Sequence, residues 1–138
     1  MTPLVISDAT LGTAGILLLT IVAVESGGLY LLRLLRGRSP ATGFQLAFAR
    51  AGHAHAGVLV ILSLVALLYA DAAGATGLVG AVARSAIPLA AILMPAGFFF
   101  ASAGRGRTEP NRLIVLIYAG ALSLAAGAVA LGWSLLVR

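Results

Sequence analysis

The stretch LIVLIYAGALSLAAGAVALGWSLL, residues 113–136, runs for 24 positions without a charged side chain. A helix needs about 20 predominantly apolar residues to cross the roughly 30 Å hydrocarbon core of a bilayer. This segment is therefore long enough to span, and it is too apolar for the surface of a soluble domain. Working outward, three more stretches of the same kind fill nearly all of the chain, at about 11–35, 48–70 and 85–103. With 111–136 as the fourth span, residues 1–138 read as a single transmembrane domain. The expected fold is all-α: a polytopic membrane protein built as a four-transmembrane-helix bundle.

Composition agrees. Of the 138 residues 61% are hydrophobic and 9% charged, with a mean hydropathy of +1.09, whereas soluble domains carry about 25% charged residues. No cysteine is present, which removes disulfides, thiolate metal sites and iron–sulfur clusters from consideration. All nine basic residues are Arg, and they cluster at the ends of apolar segments. There they anchor and orient helices, so the net charge of +5 does not point to nucleic acid. Met1 to Thr10 carries no basic n-region and includes Asp8. The first span is therefore expected to remain as a helix rather than serve as a cleaved signal.

Arg33, Arg36, Arg38 and Arg50 flank the first connection, and Arg105, Arg107 and Arg112 flank the third. The other side has only Arg84 and Arg138. Cytoplasmic loops are enriched in basic residues, so the Arg-rich connections are expected inside and both termini outside the cytoplasm. Punctuation residues suggest where helices stop. Gly74, Gly77 and Gly80 read as a flexible connection, Pro88 as a first-turn residue of the third span, and Pro95 as an interior kink. Pro110 reads as the first residue of the fourth helix, behind an N-cap at Thr108 or Glu109. Asp71, Arg84 and Trp133 read as ordinary interfacial residues. Small residues such as Gly52, Ala56, Gly57, Gly120, Ser123 and Gly127 suit close helix packing, within a bundle or between subunits.

An ionisable residue at membrane depth is costly and marks a candidate site. Glu25 lies eight residues before Arg33, roughly 12 Å inside the Arg-rich end at 1.5 Å per residue. His53 and His55 follow Arg50 by three and five residues on the next helix, at a comparable depth. Tyr118 lies six residues after Arg112, roughly 9 Å in, and Pro95 ten before Arg105, roughly 15 Å in. Pro95 has no N–H for the carbonyl of Ala91, which adds a backbone acceptor to the layer. His53 and His55 stand about 200° apart around their helix and cannot aim at one point. His53 shares its face with Arg50 and Gly57. The candidate metal ligands are Glu25, His53 and His55, and the two histidines are the candidate cofactor ligands, for haem or a divalent metal ion. Arg50 and Tyr118 are supporting residues. Glu25 is expected within hydrogen-bonding or one-water reach of a histidine, His53 being the better placed.

The run from Phe48 to Leu59, FARAGHAHAGVL, together with Pro95-Ala-Gly-Phe and Pro110-Asn-Arg-Leu, resembles small four-helix bacterial membrane proteins of the actinobacterial type. The resemblance covers most of the chain. It implies the fold and a bacterial cytoplasmic (inner) membrane location, but no reaction. A fainter similarity, over about ten residues, is to the haem-ligand helix of haem–copper oxidase subunits. Four spans and two histidines depart from that pattern.

Three functions fit these residues. One is a proton- or cation-translocating protein, since carboxyl and imidazole groups titrate near neutrality in suitable surroundings. The second is a haem- or metal-binding redox protein. The third is a structural or assembly subunit of a larger membrane complex. The expected partners are membrane lipids and either further copies of the chain or a membrane complex. No serine–histidine pairing or acidic metal motif is evident, so no catalytic residue is named.

Overall fold

The computed structural model describes residues 5–137, and Arg138 lies outside them. The architecture is all-α, with four long apolar helices packed together: α1 (Asp8–Leu35), α2 (Gly43–Ala72), α3 (Gly77–Ala101) and α4 (Val115–Leu136). Each is long and apolar enough to cross a membrane, α4 together with the 3-10 turn Arg112–Ile114 that leads into it.

The helix ends follow local chemistry. Ser7 caps α1 by accepting from the Thr10 N–H at 3.2 Å. Thr42 and Gln45 form a reciprocal capping box at the start of α2, which satisfies two otherwise orphan donors. Three corrections to the sequence reading arise here. First, α3 starts at Gly77 rather than at 85, because Gly74 takes the reversal at φ 59 and lets the next helix begin at once. Gly80 is not part of a loop: a Cβ there would stand 2.5 Å from the Ala75 carbonyl carbon, so glycine permits the turn to close on the helix. Second, Pro88 is interior to α3, as Pro95 is. Third, Asn111 rather than Thr108 or Glu109 caps the fourth span, through Oδ1 accepting from the Leu113 N–H at 2.8 Å. Pro110 therefore stands outside the helix.

The four helices are unequally packed. The α3–α4 seam is the tightest: a Cβ on Gly97 would lie 2.7 Å from the Ile117 backbone nitrogen, and one on Gly127 3.0 Å from that of Ile87. Ser123 Oγ donates across the seam to the Ala86 carbonyl at 2.8 Å. Gly52 admits Phe98 and Phe99 between α2 and α3, whereas Gly57 meets nothing. The first helix packs mainly on α2, through Leu17 against Val60 and Leu67, and most of its surface is exposed.

Because α1 packs mainly on α2, its N-terminal end is held by polar bonds. The Asp71 carboxylate accepts from the Ser7 N–H at 3.0 Å and from Ser7 Oγ at 3.1 Å, and pairs with the Arg84 guanidinium. Arg84 also donates to the carbonyls of Ala70 and Ala75, at 3.3 and 3.1 Å. The Asp71 side chain is 3% exposed. Asp71 and Arg84 are thus a buried knot joining α1, α2 and α3, not ordinary interfacial residues. The reversal between α2 and α3 folds Arg84 back over the end of α2.

Candidate functional site: the Glu25–His53 cleft

Glu25 stands ten residues before the end of α1, and His53 ten residues after the start of α2. The helices are antiparallel neighbours, so both residues sit roughly 15 Å from the same end. Gly27 and Gly28 make the approach possible. A Cβ on Gly28 would stand 3.1 Å from His53 Cε1 and 3.4 Å from Nε2, and one on Gly27 3.7 Å from Nδ1. The imidazole therefore lies close against the backbone of α1, and a side chain at Gly28 would press on it.

The result is a cleft on the outer face of the α1–α2 pair, lined by Glu25, Gly28, Leu32 and His53 among others. Glu25 is exposed on it and His53 half-buried. Among the described residues, no direct hydrogen bond or ion pair joins Glu25 to either ring, and neither Glu25 nor His53 has one to any other group. An ionised carboxylate surrounded by hydrocarbon is strongly unfavourable, which makes an unpartnered Glu25 in an apolar span the candidate site.

The other candidates lie elsewhere. His55 points away from α1: its Nδ1 is 2.7 Å from the Ala51 carbonyl, and its ring lies 4.9 Å from that of Phe98 on α3. The opposite facing of the two histidines, expected from helix geometry, is what the packing produces. Tyr118 is exposed on α4, on the far side of α3 from Glu25. Arg50 is exposed and lines neither cleft that His53 lines.

His53 also closes one end of a second, deeper space. A groove of about 380 Å³ lies between α1 and α3 with α2 as its floor. Its walls include Leu17 and Gly27 of α1, Val60 of α2, and Pro88, Pro95 and Phe99 of α3. This groove was not foreseen. The seven-residue spacing of Pro88 and Pro95 places both on one face of α3 and was its only sequence signal.

No protein-family model matches the chain, and no curated protein and no solved structure is significantly similar to it.

Proposed function

We propose that this is a proton- or cation-translocating protein of the bacterial cytoplasmic membrane, with Glu25 and His53 as the groups that take up and release the transported ion. The observation that carries the reading is the pairing of depth and vacancy. A carboxyl and an imidazole line one cleft, well inside the span, and neither is spent on a bond within the chain. Carboxyl and imidazole groups exchange protons near neutral pH when their surroundings tune them. A pathway also needs walls, and α1 has little of its own surface covered. A second copy packed along α1 supplies them, so the working form in this proposal is a homo-oligomer. Both termini lie outside the cytoplasm, following the Arg asymmetry.

A metal or haem reading stands behind this one. Among the described residues there is no group of three or more His, Cys, Asp and Glu side chains that a metal could share. One chain therefore offers too few ligands for a metal ion held by protein side chains alone, so further ones would have to come from another subunit, whereas a five-coordinate haem would need only one histidine.

The test is flux in proteoliposomes under an imposed proton or cation gradient. The wild type is expected to dissipate it, and Glu25→Gln and His53→Gln to lose at least about tenfold in rate, as loss of a proton-transfer group does. Absence of flux from correctly folded wild-type protein would leave the assembly-subunit reading. Cysteines introduced at Ser39 and Thr76 give the orientation: an impermeant thiol reagent should label Thr76→Cys in intact cells and spare Ser39→Cys.

A further inference from the structure

The groove between α1 and α3 is distinct from the outward Glu25 cleft, although His53 borders both. We infer that it is a binding site for a membrane-dissolved quinone, whose oxygen-bearing ring meets His53 and whose tail lies along the groove.

The volume of about 380 Å³ lies in the usual range of small-molecule sites, roughly 300–1,000 Å³. The groove extends from Thr13 to Gly27 along α1, roughly 21 Å, and its walls are almost wholly apolar. Any occupant must therefore come from the lipid phase.

The distribution of polar groups narrows the choice. Thr13 and Thr20 line the groove, but their hydroxyls are already given to the Ala9 and Leu17 carbonyls, at 2.9 and 2.6 Å. The imidazole of His53 is the polar side chain left without a bond within the chain, and it stands at one end. Ala91, whose carbonyl loses its usual helical donor at Pro95, lines the same space. A fatty acyl chain fills such a groove but leaves the imidazole unsatisfied. A quinone supplies a carbonyl oxygen for the ring N–H, a flat head to lie against Pro95 and Phe99, and an apolar tail to lie along the groove. Site and ligand thus match in having one polar end and one long apolar body.

A photoreactive azidoquinone, applied to the full chain in lipid nanodiscs, tests this directly. Labelling mapped by mass spectrometry should concentrate on α1 and α3 residues of the groove and be competed by decylubiquinone. His53→Phe, which keeps a ring but removes its nitrogens, should weaken competition about tenfold, the effect of losing one hydrogen bond. Ile92→Trp should abolish it by filling the groove from its exposed rim, where added bulk does not disturb the core. Labelling spread evenly over the lipid-facing helices, or not competed by decylubiquinone, overturns the proposal. So does native mass spectrometry that finds phospholipid retained there in its place. Binding is read without an ion gradient, so this inference and the flux reading fail separately.

Discussion

Asp71 stands one residue from the end of α2, and Glu25 ten residues inside α1. At a helix end water or headgroups satisfy a carboxylate at little cost, yet Asp71 is enclosed and bonded to Ser7 and Arg84. At Glu25's depth water is scarce, yet the carboxyl faces outward with no partner in the chain. The chain thus satisfies the carboxylate that least requires it and leaves the costlier one open. A carboxylate kept for architecture is expected to look like Asp71. Glu25 has no such bonds among the described residues, and packing within the chain gives it no architectural part.

Stability measurements in detergent should separate the two. The largest effect is expected from Arg84→Met, which removes the charge partner of Asp71 and the bonds to Ala70 and Ala75, and should cost about 2–3 kcal/mol. Adding Asp71→Asn should restore much of that loss, because a broken buried pair is worse than an absent one. If the double variant is no more stable than Arg84→Met alone, the knot is not held by this charge pair. Ser7→Ala should cost less, about 1–2 kcal/mol, since it removes a helix cap and one bond to Asp71 while the backbone N–H still donates. Glu25→Gln should not destabilise the protein and should, if anything, stabilise it, because it removes a charge that has no partner in the chain. A loss at Glu25 as large as that at Arg84 would show that Glu25 is structural too, and the contrast would collapse.

The His53 contact is a third kind of arrangement, intermediate between these. Its ring is positioned by close approach to Gly28, and not by a bond. Such positioning leaves both ring nitrogens available, which a site needs and a structural histidine such as His55 lacks. The pair of glycines was visible in the sequence only as an interruption of the first span. Their use depends on which residue of α2 arrives opposite them.

Four spans, their order and the opposite facing of His53 and His55 were all legible in the sequence. Hydropathy is local, and the angle between two positions on a helix needs no knowledge of neighbours. The common depth of Glu25 and His53 was legible for the same reason, because rise per residue counts from a helix end. The start of α3 was not legible: Gly74, Gly77 and Gly80 look alike as letters, but one turns the chain, one opens a helix and one packs against Ala75. Nor was the bond from Ser7 to Asp71, across 64 residues, or the groove that α1 leaves by packing mainly on α2. Those depend on how helices choose partners, which rests on the fit of side chains across an interface and has no local signal in the chain.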